Sequence, residues 1–110
     1  MVTIRIRDHL ARASTNGDGD VVYNLVRNAL LAGGRVAVSF DGIFSVPTAF
    51  VNSAFVQLLD DVSFDDLQAR VRFLDSTRSI NDLLRSRLRF AAEQKANELA
   101  NEEHQAALTA

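Results

Sequence analysis

The residues best suited to chemistry gather in one short stretch, SVPTAF, where two hydroxyl side chains flank the only proline of the chain. Ser45 and Thr48 lie between a run of apolar residues typical of a buried strand and a run with helical spacing. Pro47 fixes φ before the helix begins and holds Val46 extended. Ligands of α/β sheets gather where strands end and helices begin. Thr48 is therefore either a helix cap or a candidate phosphoacceptor, and Ser45 is either a turn hydroxyl or a second candidate.

Other residue types that could support chemistry are sparse. The sequence has no cysteine, which excludes a disulfide, a thiolate nucleophile and a cysteine-ligated metal. His9 and His104 lie at opposite ends of the chain without the several ligands that a zinc site needs, so we interpret both as surface residues. The sequence contains neither a phosphate-binding glycine loop nor a nucleophile beside a base. We therefore expect a non-enzymatic protein that needs no metal and no cofactor.

Four carboxylates form a short acidic stretch, made of Asp60, Asp61, Asp65 and Asp66. Paired acids can do acid–base work or hold a hard cation. Here they flank the predicted end of one helix and the start of the next helical turn. We interpret them as solvated residues of helix ends.

Length and composition indicate one globular domain. A chain of 110 residues fits a single domain, and a hydrophobic content of 47% indicates a real core. The formal charge of -2 gives no strong general attraction to nucleic acid or acidic membranes. The N-terminus lacks the apolar region of a signal peptide, and no apolar stretch approaches the roughly 20 residues that span a bilayer. We expect a soluble, cytoplasmic protein without a membrane partner.

Hydrophobic periodicity predicts strands that alternate with helices. Residues 2–7 alternate as a half-buried strand does, and the nearly continuous apolar run 35–40 is typical of a central strand. The other predicted elements are a turn over 16–20, a helix capped by Asp20 and ended by Gly33-Gly34, a helix from Thr48 to Leu59, a helical turn opened by Ser63, a strand over 69–74, and a last helix opened by Ser79. A short fourth strand near residues 9–14 is also considered, as the partner in a β-hairpin.

This order predicts an α/β fold, with a small layer of a mixed, partly parallel β-sheet packed against helices. We assign residues 1–92 to the domain. Residues 93–110 are rich in alanine and glutamate and offer little to bury. We expect them to form a polar, helical C-terminal extension that frays or contacts a partner.

The stretch VAVSFDGIFSVPTAFVNSAFVQLL resembles the core of STAS domains, named for sulphate transporters and anti-sigma-factor antagonists, and in particular the STAS-like domain family of unknown function. Members have an apolar strand, a hydroxyl-bearing corner and a helix with a phenylalanine-rich face. The segment VRFLDSTRSINDLLRSRLRFA is similar in its order of strand and helix, so the resemblance covers residues 2–92. The matching pieces at the corner are Val36 to Phe40, Asp41-Gly42, Ser45 to Phe50, and Phe55 with Leu58-Leu59.

The resemblance implies a regulatory protein of bacterial type. In anti-sigma-factor antagonists, a histidine-kinase-like ATPase phosphorylates a serine at this corner, and the unphosphorylated form binds that ATPase and frees a sigma factor. By position Thr48 matches the phosphoacceptor, while Pro47 replaces the acidic residue that usually precedes it. The partner surface that the resemblance implies comprises Asp41, Phe44, Pro47, Phe50 and Asn52.

Charge is unevenly distributed along the chain. Residues 70–95 carry seven basic residues and three acids. Arg78, Arg85 and Arg89 can share one side of the last helix. This side is either a solvated face opposite the leucine stripe or a docking site for an acidic protein surface.

Three interpretations of function remain open. The first is a regulatory protein–protein interaction domain that acts as a switch with an ATPase partner. The second is a structural or oligomerisation module without phosphorylation, assembled through the C-terminal helix. The third is a weak nucleic-acid binder that uses the arginines of the last helix, which the low overall charge makes the least favoured.

Overall fold

The computed structural model describes the backbone of residues 1–109 and the side chains of residues 1–100. Strands and helices alternate along most of the chain, as the sequence predicts. The elements are β1 (Val2–Arg5), α1 (Ile6–His9), α2 (Asn16–Leu31), β2 (Val36–Ser39), α3 (Thr48–Ala54), a 3₁₀ helix (Val56–Asp60), α4 (Phe64–Arg70), β3 (Val71–Leu74) and α5 (Arg78–Thr109).

The three strands form one parallel sheet in the order β1-β2-β3. This confirms the α/β class and the central position of β2, whose four residues are all buried. The sheet is parallel throughout the described residues, so the expectation of a partly mixed sheet is corrected. Parallel pairing follows from the helical connections. Each connection carries the chain back to the end of the sheet where the previous strand began, so the next strand runs in the same direction.

The suggested strand near residues 9–14 is wrong, and β1 is shorter than predicted. The backbone turns into α1 at Ile6, whose side chain is fully buried, and α1 ends at His9. Asp18 then accepts hydrogen bonds from the backbone N–H groups of Ser14 and Thr15, each at 3.1 Å. Such local side-chain bonds compete with strand pairing, so this segment leads into a helix.

Helix α2 begins earlier than Asp20, inside the stretch predicted as a turn. Thr15 is the N-cap, and it forms a reciprocal capping box with Asp18. The hydrogen bonds from Ser14 and Thr15 lower the pKa of Asp18. The predicted end is confirmed, because Gly33 adopts a φ of 86° and its N–H donates to the Leu30 carbonyl.

The later helix starts are partly as predicted. Ser63 caps α4 by accepting from the Asp66 N–H at 3.1 Å, and α4 then runs for seven residues instead of one turn. Helix α5 is capped by Thr77 and not by Ser79, since the Thr77 hydroxyl accepts from the Ile80 N–H at 3.2 Å. The segment predicted as one helix from Thr48 to Leu59 breaks after Ala54 and continues as the 3₁₀ helix.

The core lies between one face of the sheet and the helices α2, α3 and α5. Phe55 is fully buried at its centre, with ring centroids 5.0 Å from Phe73, 6.0 Å from Phe40 and 6.3 Å from Phe50. Tilted and edge-to-face pairs of this kind add to the stabilisation from burial alone. The other face of the sheet carries the exposed residues Thr3, Arg5 and Arg72 beside the buried Ala37 and Ser39.

Helix α5 is 32 residues long and dominates the shape of the molecule, whose longest dimension is 54 Å. Ile80, Leu84 and Leu88 bury one side of it against the core. Further along, the Lys95 ammonium donates to the Leu59 carbonyl and lies 3.1 Å from Asp60. None of the helices in the described part of the chain has the length and apolar character of a membrane span.

Candidate interaction surface at the carboxyl edge of the sheet

The carboxyl ends of the three parallel strands lie along one edge of the sheet, and the segments that follow them meet there. Arg5 ends β1, Asp41 follows β2 and Asp75 follows β3. The corner loop, defined here as residues 40–47, leaves the middle of this edge and leads into α3. Ligands of parallel sheets bind at such edges, so this edge is the candidate site of interaction.

Arg5 ties the start of the corner loop to the neighbouring strand. Its guanidinium donates to Asp41 at 3.0 Å and to Asp8 at 3.1 Å. These hydrogen bonds, that to Asp41 first, raise the pKa of Arg5. All three side chains are about half exposed, so solvent screens the pairs, and their role is to position the loop.

Ser39 connects the loop to the third strand from beneath. Its hydroxyl is buried, donates to the Asp75 carboxylate at 2.7 Å and accepts from the Asp41 N–H at 3.2 Å. Asp75 adopts a φ of 57°, a left-handed conformation that aspartate tolerates better than most residues. The segments after β2 and β3 are thus fixed to each other through one buried hydroxyl.

Gly42 lets the loop pass close to α1. It adopts a φ of 80°, and a Cβ at this position would lie 2.6 Å from a guanidinium nitrogen of Arg7. Only glycine meets both requirements without strain. The Arg7 side chain therefore covers the turn of the corner loop.

The far side of the loop is held by α5. The Thr77 hydroxyl, which caps that helix, also donates to the Phe44 carbonyl at 3.0 Å. Ile43 and Val46 are half-buried and pack against the core. Between them, the Phe44 side chain points outward and is 79% exposed. A large apolar ring is therefore displayed on a loop whose backbone is anchored on both sides.

Three predicted site residues follow Phe44 on the same surface. Ser45, Pro47 and Thr48 are all exposed. The interpretation of Thr48 as the helix cap is corrected: Pro47 occupies the N-cap position, no side chain caps α3, and Thr48 is its first residue. Phe44, Ser45, Pro47 and Thr48 together are called the corner surface below.

Other predicted contact residues lie elsewhere. Phe50 is fully buried, so its assignment to the partner surface is corrected: it belongs to the core. Asn52 accepts a hydrogen bond from Arg87 at 3.2 Å and so faces α5. Arg78 begins α5 next to Thr77, close to the corner loop. Arg85 and Arg89 follow it by about 10 and 16 Å along the helix axis and do not join the corner surface.

The acidic stretch serves local structure. Asp60 pairs with Lys95, and Asp66 pairs with Arg70 at 3.1 Å. Asp61 accepts from the Tyr23 hydroxyl at 2.6 Å and from Arg27 at 3.3 Å. His9 is exposed, and the side chain of His104 lies outside the described residues. Among the side chains that the structure describes, no three histidine, cysteine or acidic groups are placed to hold a metal ion.

The Tyr23–Asp61 contact shifts both titrations. The hydroxyl hydrogen bond lowers the pKa of Asp61. The same bond raises the pKa of Tyr23. This pair links α2 to the end of the 3₁₀ helix, on a different part of the molecule from the corner surface, and its effect is on stability.

A sequence profile of the family described as a STAS-like domain of unknown function matches residues 18–81, which is more than half of the chain. The chain belongs to this family. The matched region holds the central strand, the corner loop and α3, and it ends within the first turn of α5. No curated protein and no solved structure matches the chain. The family is described as having no known function, so its description does not say what the corner surface binds.

Sequence reasoning missed the residues that position the corner loop, namely Arg5, Arg7, Ser39, Asp75 and Thr77. A usable signal was present, because Asp41 and Asp75 each follow a predicted strand, and parallel strands end at one edge. What the pattern could not supply was the order of the strands. Without that order, Arg5 could not be placed beside Asp41, 36 residues away.

Proposed function

We propose that this STAS-like domain is a non-enzymatic regulatory domain that binds another protein through the corner surface. The observation that carries the proposal is Phe44, 79% exposed on a loop that Arg5 and Thr77 anchor from two sides. An exposed aromatic ring loses little conformational entropy when its backbone is already fixed. Buried aromatic anchors with polar rims are the usual energetic centres of protein interfaces.

The surroundings of Phe44 suit such a rim. Ser45 and Thr48 supply exposed hydroxyls, and Asp41 adds a carboxylate that Arg5 holds in place. Arg78 at the start of α5 supplies a cation near the same loop. A protein partner could therefore bury the ring and still satisfy its polar groups at the edge of the contact.

The proposal includes a switch at Thr48 that is operated by a histidine-kinase-like ATPase. Its support is the resemblance to anti-sigma-factor antagonists, together with two structural facts: Thr48 is exposed, and it does not cap α3. Phosphorylation would add about -1.5 to -2 charges beside the contact. This charge would oppose burial of Phe44 and weaken the complex, so the unphosphorylated form is the one that binds.

Incubation with such an ATPase from the source genome and Mg-ATP tests the switch by intact mass. The wild type and Ser45→Ala should each gain the mass of one phosphate, and Thr48→Ala should gain none. A phosphate added to Thr48→Ala but not to Ser45→Ala would identify Ser45 as the phosphoacceptor instead. If no such ATPase adds a phosphate to the wild type or to either variant, the proposed switch is contradicted. The binding role of Phe44 would then be tested separately.

A further inference from the structure

The outer side of strand β3 is an open edge of the sheet. β3 lies at the end of the strand order β1-β2-β3, so only its other side is paired. The Leu74 carbonyl accepts from the Phe40 N–H at 2.9 Å, which directs the backbone groups of Leu74 toward β2. Because these groups alternate in direction along a strand, the N–H and carbonyl of Phe73 point outward. No turn, loop or cap hydrogen bond of the described chain engages either group.

A groove with apolar walls lies beside this edge, between α4 and α5. Its volume is about 330 Å³, and Val71 and Phe73 of β3 are among the residues that line it. Each helix contributes one stripe of side chains spaced by three or four residues, namely Phe64 and Leu67 on α4 and Leu84 and Leu88 on α5. Apolar side chains of a strand added at this edge would therefore meet apolar walls. This groove, with the outer side of β3, is called the β3-edge groove below.

Arg85 gives the β3-edge groove a positive charge. It is exposed, and it is the one charged residue among the described residues that line the groove. The ion pairs among the described side chains use other basic residues, namely Arg5, Arg27, Arg70 and Lys95. A guanidinium group binds a carboxylate through two parallel hydrogen bonds. The groove therefore suits an occupant that is apolar and carries a carboxylate.

We propose that the β3-edge groove binds an extended, acidic peptide segment of another protein, which adds a fourth strand to the sheet. The backbone of the segment pairs with the N–H and carbonyl of Phe73, and its alternate side chains are apolar and enter the groove. A carboxylate of the segment pairs with Arg85. β3 has four residues and spans about 13 Å, so the paired stretch is equally short. The site is separate from the corner surface and does not depend on the proposed function.

A second copy of this chain fits the same edge less well. Two-fold pairing of β3 with itself would bring the Arg85 side chains of both copies to one pair of strands, where like charges repel. The sequence of β3 is VRFL, which offers no carboxylate to Arg85. Asp75 follows the strand, but it already accepts the Ser39 hydroxyl at 2.7 Å. A peptide with its own acid meets both requirements, so it is the occupant that the charge favours.

Selection from a phage library of random dodecapeptides, with the full chain as target, tests the proposal. Enriched peptides should share alternating apolar residues and an acid, and a fluorescent copy of one should bind the wild type. Arg85→Glu should weaken that binding by about tenfold or more. Arg89→Glu is the matched control, because it lies one helical turn further along α5 and does not line the groove. A peptide whose acid is changed to lysine should bind Arg85→Glu again, which also shows that this variant is folded.

Amide hydrogen exchange, followed by NMR, tests the added strand itself. In the free protein the Phe73 N–H should exchange faster than those of Arg72 and Leu74, which face β2. The bound peptide should slow exchange at Phe73 by about tenfold or more, because it supplies the missing acceptor. Methylation of the backbone nitrogens of the peptide should abolish binding.

Four outcomes would overturn the proposal: a library that yields no binders, peptides that bind Arg85→Glu as tightly as the wild type, a bound peptide that leaves exchange at Phe73 unchanged, or a wild type whose Phe73 is protected by self-association. Phe44→Ala should bind the peptide as the wild type does, since its ring lies on the corner surface. Loss of binding in that variant would place the peptide at the corner surface and would also contradict the groove. Failure at the groove leaves the proposed function intact.

Discussion

Two phenylalanines that are six residues apart in the sequence lie in opposite environments. Phe44 is 79% exposed on the corner loop, while Phe50 is fully buried against Phe55. The sequence offers both as contact residues, since neither hydrophobicity nor spacing separates a displayed ring from a packed one. The separation arises from the turn in which the Ile43 N–H donates to the Phe40 carbonyl, because Ile43 then packs inward and Phe44 points out.

Alanine substitutions at these two positions should therefore differ greatly in how much they lower the free energy of unfolding. Phe50→Ala leaves a cavity in the core and should lower the free energy of unfolding by about 3–5 kcal/mol. Phe44→Ala removes a side chain already in water and should change it by less than about 0.5 kcal/mol. Urea unfolding of the three proteins measures both. Comparable losses in the two variants would show that the Phe44 ring is packed in solution.

Tyr23 is the only tyrosine of the chain, so its titration can be followed directly by ultraviolet absorbance. Its hydrogen bond to Asp61 raises the pKa of Tyr23, which should titrate above its ordinary value of about 10. Asp61→Asn removes the carboxylate, and the pKa of Tyr23 should then fall toward that value. Equal titration curves for the two folded proteins would contradict the contact.

The same pair gives stability a defined dependence on pH. The pKa of Asp61 is lowered in the folded state, so its contribution is present above the ordinary aspartate pKa of about 4 and is lost as pH falls through the lowered value. Tyr23 has a raised pKa, so its contribution is lost as pH rises through that value. Tyr23→Phe should therefore cost most stability near neutral pH, and the difference from wild type should shrink in acid. A cost that persists unchanged at pH 3 would contradict this.

At the scale of elements, Gly19 controls how closely α2 and α3 approach. A Cβ at Gly19 would lie 2.6 Å from the Ser53 Cβ and 2.8 Å from the Phe50 carbonyl oxygen. The Ser53 hydroxyl also lies 2.6 Å from both the Asn16 carbonyl oxygen and the Asp20 carboxylate, and these two acceptors share its single proton. The hydrogen bond from Ser53 lowers the pKa of Asp20. At the start of α2, the backbone of Gly19 therefore packs directly against the Ser53 side chain of α3.

Gly19→Ala should push these helices apart and lower the free energy of unfolding by about 2 kcal/mol or more. Gly17→Ala is the matched control, since it lies two residues earlier in the same helix and its nearest neighbour to a new Cβ is 3.7 Å away. There alanine should be neutral or stabilise by up to about 1 kcal/mol. Thermal and urea unfolding of both variants checks the difference. Equal effects at the two positions would refute the close approach.

The start of α2 also shows where sequence patterns stop short. Central strand β2 was predictable because a continuous apolar run needs cover on both faces. The pattern places the start of α2 too late, because the glycines at 17 and 19 indicate a turn and Asp20 is a plausible cap. The reciprocal bonds of Thr15 and Asp18 decide the start instead, and Gly19 is present for helix packing. Propensity alone cannot distinguish a glycine that bends the chain from one that lets two helices touch.

At the scale of the whole molecule, the parallel sheet brings three chain segments to one edge and fixes the corner loop there. The fold class followed from the order of elements, whereas the anchoring of the loop depends on contacts between residues far apart in sequence, such as Thr77 with the Phe44 carbonyl. The second large feature, α5, begins beside this edge with Arg78 and carries Arg85 and Arg89 about 10 and 16 Å further along its axis. Substitutions beyond the first turns of α5 can therefore be made without altering the corner loop.

The most direct test of the central claim is quantitative capture from a lysate of the source cells, with four forms of the protein as bait. The forms are wild type, Phe44→Ala, Thr48→Glu, and Phe90→Ala as the control, since Phe90 is 50% exposed on α5. A partner bound through the corner surface should be retained by wild type and Phe90→Ala, and reduced about tenfold or more by Phe44→Ala and by Thr48→Glu. Equal capture by all four forms, or a loss confined to Phe90→Ala, would contradict the assignment of the corner surface as the site of interaction.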